Sequence, residues 1–216
     1  MYTLAPSIYA AGYMDLQNQI DLLEASGAGW IHVDVMDGHF VPGMAFGPDF
    51  LNALAVHTRL KLDVHLMIER PERMVKEFTE AGADVITIHY ESSENPEELL
   101  KEIHSCGIQT GIVLKPDTGL EVLGPGIWEE MDVLQIMTVQ PGMKGQHFIE
   151  GMLHKIRSAK AQIVKHGRHI RLEVDGDITR ERLPQVVEAG ADMVVVGKAI
   201  FNGMVTENIR EYLSLA

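Results

Sequence analysis

Eight short apolar runs recur from end to end of the chain, each separated from the next by an amphipathic stretch. The runs fall at residues 3–8, 30–36, 61–67, 84–89, 109–114, 132–137, 170–175 and 192–196. Most are almost continuously apolar, the pattern of parallel strands covered on both faces. The stretches at 15–26, 47–57, 70–81, 96–106, 119–124, 147–165, 179–189 and 205–214 read as helices. In the fourth, Leu99, Leu100 and Ile103 recur at helical spacing behind Pro96, which suits a first helical position. Three segments repeat a junction: Ala25-Ser26-Gly27-Ala28-Gly29, Glu80-Ala81-Gly82-Ala83-Asp84 and Glu188-Ala189-Gly190-Ala191-Asp192. A glycine there fits a left-handed helix cap feeding the next strand, so one βα unit is used repeatedly.

Strand–helix alternation over 216 residues, with no linker or low-complexity break, predicts one α/β domain spanning 1–216. Eight units of this size make a compact (β/α)8 TIM barrel. The competing architecture is an open doubly wound sheet, which the absence of Gly-x-Gly-x-x-Gly after the first strand disfavours. The net charge of −13 argues against a nucleic-acid partner. It also requires any anionic ligand to find a locally positive or NH-rich pocket. No run approaches the length of a membrane span, no leader pattern opens the chain, and a cytoplasmic location is expected. The single cysteine, Cys106, is expected as a buried or half-buried thiol near a helix end.

Chemistry concentrates at strand ends. His32 and Asp34 lie two apart on one run, His65 ends the next, and Asp175 ends the seventh. Residues two apart on a strand share a face, and a closed barrel gathers the C-terminal ends of all its strands. Taken singly, a strand-end His is an ordinary core residue, and an Asp after a strand, as at Asp37 and Asp177, is an ordinary turn or cap residue. Together the four make a ligand set for one divalent metal ion, Zn, Mn, Fe or Co. The two aspartates can also act as a base on one side of a substrate and an acid on the other. Met36, Met67 and Met137 sit near the same strand ends and suggest an apolar floor that keeps water from a carbanion-like intermediate.

The loops after the last three strands are rich in glycine. Gly142, Met143, Lys144 and Gly145 follow the sixth, Gly176 and Asp177 the seventh, and Gly197 and Lys198 the eighth. Glycines let backbone NH groups approach an anion, and this end of a barrel is a common phosphate site.

At this point the residues resemble a known family. Leu4-Ala5-Pro6-Ser7-Ile8, the run from His32 to Pro42 (His-Val-Asp-Val-Met-Asp-Gly-His-Phe-Val-Pro), Asp63-Val64-His65-Leu66-Met67-Ile68 and Glu173-Val174-Asp175-Gly176 are similar to ribulose-phosphate 3-epimerases, over about residues 3 to 202. The resemblance implies a metal-dependent barrel that interconverts D-ribulose 5-phosphate and D-xylulose 5-phosphate. It implies one divalent metal on His32, Asp34, His65 and Asp175, with Asp34 and Asp175 transferring protons at C3 through a 2,3-enediolate. Ser7 and His65 would contact substrate, residues 142–145, 176–177 and 197–198 would hold its phosphate, and the protein would be a homo-oligomer.

The chain departs from the family pattern at the phosphate. Met143 and Lys144 stand for Phe-Gly, Asp177 for Gly and Lys198 for Ser, and Tyr9-Ala10-Ala11-Gly12-Tyr13 replaces Leu-Ser-Ala-Asp-Phe. The expectation is a compensated rebuild, in which Asp177 pairs with Lys198 or Lys144 and the other lysine faces the anion. A hexulose phosphate such as D-allulose 6-phosphate is therefore the alternative substrate. A lysine-dependent aldolase or decarboxylase using Lys115, and a non-catalytic sugar-phosphate binder, are the competing functional classes.

Overall fold

The computed structural model describes residues 2–143 and 145–215. At its centre is a curled sheet of nine strands: β1 (Thr3–Pro6), β2 (Trp30–Asp37), β3 (Met44–Ala45), β4 (Lys61–Met67), β5 (Val85–His89), β6 (Gln109–Leu114), β7 (Val133–Met137), β8 (Arg171–Asp175) and β9 (Met193–Val196). Their order is β1-β9-β8-β7-β6-β5-β4-β2-β3. Every pairing is parallel except that of β3, which returns antiparallel on the end of β2. A parallel bridge from Ser7 to His32 joins β1 to β2 and closes the barrel. The eight apolar runs are the eight barrel strands, and β3 is a small addition outside the ring.

Eight α-helices among the described residues wrap the sheet: α1 (Leu16–Ala25), α2 (Pro48–His57), α3 (Val75–Glu80), α4 (Pro96–Ser105), α5 (Pro125–Glu130), α6 (Met152–His166), α7 (Leu183–Glu188) and α8 (Val205–Ser214). None is long and apolar enough to cross a membrane. The core lies between helices and sheet. In α4 the stripe Leu99, Leu100 and Ile103 is fully buried, and each such side chain contributes about 1.5–3 kcal/mol. The three repeated junctions behave as their sequence implies, since Gly27, Gly82 and Gly190 all take positive φ (86°, 105° and 114°).

Several expected boundaries move, each for a local reason. The fifth helix lies at Pro125–Glu130 rather than 119–124, where only a 3-10 turn, Leu120–Val122, forms. Pro125 holds Gly124 extended and then serves as a first helical residue, so the helix begins after it. The stretch at 70–81 splits into a 3-10 turn and α3 behind Arg70, whose φ is +54°. The segment 147–151 belongs to the loop before α6. The first strand ends at Pro6, and Ile8–Ala10 coils into a 3-10 turn. Cys106 is exposed rather than buried: it follows the last turn of α4, with its Sγ against the Glu102 carbonyl.

Candidate active site

The two-residue period of the strands builds the interior of the barrel. β2 supplies His32, Asp34 and Met36, β4 supplies Asp63, His65 and Met67, β7 supplies Gln135 and Met137, and β8 supplies Glu173 and Asp175. Register sets His32 beside Asp63, Asp34 beside His65, and Met36 beside Met67, with Met137 beside Asp175 on the far side. His32 Nδ1 reaches across to Glu173 Oε1 at 3.5 Å although β2 and β8 are not neighbours, so these side chains meet on the barrel axis.

Side chains of His32, Asp34, His65 and Asp175 each offer a donor atom, and the four atoms lie within 4.8 Å of one another. His32 Nε2 is 3.5 Å from Asp34 Oδ1, and His65 Nδ1 is 3.4 Å from Asp34 Oδ1 and 3.9 Å from Asp175 Oδ2. His32 Nδ1 is held by Asp63 Oδ2 at 2.6 Å, while its buried Nε2 has no hydrogen-bond partner among the described residues. A buried nitrogen left unpaired is costly, and one 3.5 Å from the Asp34 carboxylate suits a cation ligand. The donor set is the nitrogen–oxygen mixture that first-row divalent ions accept.

The electrostatics point the same way. Burial disfavours imidazolium at His32, yet Asp63 and Asp34 outweigh it and hold this group well above its ordinary value. The centre thus attracts positive charge, as a proton or as a cation. The two carboxylates that face the cavity are pushed apart. Burial opposes ionisation of Asp34, but His32 and His65 hold it far below the usual carboxylate range. Asp175 is raised to about 6 by burial and by the charge of Asp34. Asp34 is thereby held ionised while Asp175 takes up a proton more easily than an ordinary carboxylate, a division suited to acid–base work. Ser7 Oγ donates to Asp34 Oδ2 at 2.6 Å and fixes that carboxylate.

Above the four donors opens a cavity of about 790 Å³. Asp34 and Asp175 reach its floor beside Met36, Met67 and Met137, whereas His32 and His65 are fully buried beneath. Ser7, Gly142, Met143, Gly145, Asp177, Gly197 and Lys198 line it higher up, with Tyr9 and Tyr13 on the side nearest β1. Gly176 does not line the cavity. Its φ is +127°, and a Cβ there would meet Val139 Cγ2 at 2.6 Å and Thr138 Oγ1 at 2.7 Å, so it lets two loops cross closely. Lys144 lies outside the described residues.

Half of one expectation fails, and its other half, a pairing of Asp177 with Lys144, lies outside the described residues. Asp177 does not pair with Lys198: its Oδ2 accepts the Phe148 amide at 3.3 Å and lies 3.6 Å from His147 Nδ1. At φ +50° its side chain meets the loop before α6, where Phe148 lies. Lys198 is exposed at the cavity wall and has no ion pair among the described residues. Asp37 is the turn residue its position suggested, accepting the amides of His39, Phe40 and Glu69. Lys115 directs its ammonium over the Phe40 ring, 3.9 Å from the centroid.

Sequence reasoning missed a lower layer, Asp63, Glu173 and Gln135, and a pair at the end of β5, His89 and Glu91. The period-two rule could have found the first three, each two residues before a strand-end site residue. His89 ends β5, and its Nε2 is 2.9 Å from His65 Nε2. Burial lowers its pKa to about 3.

Comparison with known proteins agrees with this geometry. Residues 3–201 match the ribulose-phosphate 3 epimerase family. The ribulose-phosphate 3-epimerase of Bacillus subtilis is 41% identical over 202 residues, covering 93% of both chains. That of Treponema pallidum is 40% identical over 202 residues, covering 94% of this chain and 92% of that one. Among solved structures, a mutant tryptophan synthase α-subunit of Pyrococcus furiosus aligns over 99% of this chain and 100% of its own, with TM-score 0.70 and 16% identity. Phosphoribosyl anthranilate isomerase of Thermus thermophilus aligns over 99% and 97%, with TM-score 0.67 and 15% identity. These two share the barrel fold. The sequence matches make the chain an isomerase of the epimerase class: it belongs to the ribulose-phosphate 3-epimerase family.

Proposed function

We propose that the chain epimerises a ketose phosphate at C3, interconverting D-ribulose 5-phosphate and D-xylulose 5-phosphate, with Asp34 and Asp175 as the proton-transfer groups. One observation carries the reading: two carboxylates with opposed proton preference reach the floor of one cavity from β2 and β8. The C3 proton lies α to the C2 carbonyl, so its removal leaves an enediolate that Asp34, ionised, can initiate. Asp175 holds the proton to be delivered to the other face, and the roles exchange in the reverse direction. His32, Asp34, His65 and Asp175 would hold a divalent metal ion, which would supply Lewis-acid stabilisation of the developing negative charge. Ser7 keeps Asp34 oriented through its hydrogen bond. Met36, Met67 and Met137 keep the floor apolar, which protects the intermediate from stray protonation. Gly142, Met143, Gly145, Asp177, Gly197 and Lys198 would form the phosphate end, with Gly176 setting the loop behind it.

A second reading, a hexulose 6-phosphate such as D-allulose 6-phosphate, draws on the charged residues Asp177 and Lys198 at the cavity wall. Deuterium exchange at C3 in D2O, followed by NMR on metal-loaded protein, separates the two. Exchange with epimer formation on ribulose 5-phosphate supports the first reading. Exchange confined to allulose 6-phosphate supports the second. Absence of exchange on both overturns the proton-transfer assignment.

A further inference from the structure

His65 has two nitrogens in different surroundings. Nδ1 faces Asp34 and Asp175, and it also lies 3.3 Å from Gln135 Nε2. Nε2 faces away, 2.9 Å from His89 Nε2. Two imidazole nitrogens at that distance share one hydrogen, so one donates and the other accepts.

The far end of the chain of contacts decides which. His89 Nδ1 is 3.2 Å from Glu91 Oε2. The other oxygen of Glu91 accepts the Lys115 amide at 2.9 Å and the Thr118 hydroxyl. Glu91 is therefore surrounded by donors and acts as an acceptor, which places a hydrogen on His89 Nδ1 and a lone pair on His89 Nε2. The shared hydrogen then belongs to His65 Nε2, and the His65 Nδ1 lone pair points at the two aspartates. Gln135 gives the same answer from the other side. Its Oε1 accepts Thr87 Oγ1 at 3.0 Å, so its amide nitrogen is the atom turned toward His65 Nδ1. A donor there requires an acceptor on the ring. Phe40 packs on the His89 ring with centroids 4.8 Å apart, and His65 and His89 are fully buried, which keeps water out of the wire.

We infer that His89 and Glu91 are positioning residues that fix His65 in the Nε2–H tautomer and so present its Nδ1 lone pair to a divalent cation. The inference rests on the metal reading above only for its consequence, because the tautomer exists in metal-free protein. Outer partners of this kind typically change metal affinity about 10- to 100-fold when replaced.

Glu91→Gln is the decisive variant. The Lys115 amide and Thr118 hydroxyl still require an acceptor, so the new amide turns its oxygen to them and its NH2 to His89. His89 then moves its hydrogen to Nε2, and His65 must carry its own on Nδ1, facing the aspartates. Long-range 1H–15N spectra of metal-free protein are expected to show His65 as Nε2–H in the wild type and Nδ1–H in Glu91→Gln. Titration with Co(II) is expected to give a dissociation constant about 10- to 100-fold higher for Glu91→Gln. His89→Gln, which can still accept from His65 Nε2, should bind Co(II) more tightly than His89→Phe, which cannot. Thermal unfolding of metal-free protein separates this from a loss of packing, which would lower Tm without reversing the tautomer. A wild-type His65 with hydrogen on Nδ1, or unchanged Co(II) affinity in Glu91→Gln, overturns the inference. A wild type with the expected tautomer that binds no Co(II) overturns the metal reading instead.

Discussion

The two ends of the cavity are built of different material. At the floor, Asp175 stands on a strand laddered on both sides and Asp34 on one laddered to β4 and bridged to β1, over a buried layer of His32, His65, Asp63 and Glu173. At the opposite end the lining comes from loops after β7, β8 and β9, where Gly142, Gly145, Gly176 and Asp177 all take positive φ. Strand ends offer stiffness, which proton transfer needs because reacting atoms must stay within a few tenths of an ångström of a productive pose. Loops offer backbone NH groups and room, which an anion needs. Damage at the floor should therefore appear in kcat, and damage at the loops in KM.

The floor predicts the largest effect. Asp175→Asn keeps size and removes the proposed proton-transfer group, so kcat should fall about 10²- to 10⁴-fold with the fold intact by circular dichroism. Near-normal turnover would remove Asp175 from the chemistry and dissolve the contrast between the ends. Gly176→Ala comes next. The added methyl has no place beside Val139 and Thr138, and φ +127° is hostile to any L-side chain. The cost should be about 1–3 kcal/mol, seen as a lower Tm and a KM raised roughly tenfold, with kcat much less affected. An unchanged KM would mean that the loop crossing is independent of the phosphate.

Legibility followed the same division. The strand-end set could be read because a period of two and a closed barrel leave little freedom for His32, Asp34, His65 and Asp175. The layer beneath escaped because Asp63 and Glu173 sit inside apolar runs and read as exceptions to them; His89, at the end of β5, escaped because its strand has no second site residue. The fifth helix was misplaced because the sequence 119–124 carries apolar residues at helical spacing, while Pro125 decides where the helix starts. The partner of Asp177 could not be read at all. Whether a loop carboxylate meets a lysine of the next loop or an amide of the preceding one depends on the backbone turn, and at φ +50° Asp177 meets Phe148.

The support behind the floor has its own pH signature. Burial works against ionised Glu91, but hydrogen bonds from His89, Thr118 and the Lys115 amide outweigh it and hold the group at about 2 against an ordinary 4.5. A depressed folded-state pKa means stability that is fully present above pH 4.5 and is lost as pH falls toward 2. Discounted for partial exposure, the contribution is on the order of 1–2 kcal/mol. Denaturant unfolding of metal-free protein should show wild type more stable than Glu91→Gln at pH 6, with the gap narrowing at pH 3, both being experimental settings roughly either side of the ordinary Glu value. A gap independent of pH would mean that the variant loses packing rather than charge.

Lys198→Ser should have the smallest effect and the most specific one. The ammonium is exposed on the cavity wall, and among the described residues removing it breaks no ion pair. Its attraction for a phosphate dianion acts through water, which limits it to about 1 kcal/mol or less, a KM change of a few-fold. Such an interaction is screened, since the Debye length falls from about 10 Å at 0.1 M salt to about 3 Å at 1 M. The KM difference between Lys198→Ser and wild type should therefore shrink as salt rises, while kcat stays equal at every salt concentration. A kcat loss that persists in high salt would place Lys198 in contact with the reacting part of the substrate. Proton transfer would then depend on a loop as well as on strands, and the separation of kcat from KM between the two ends would no longer hold.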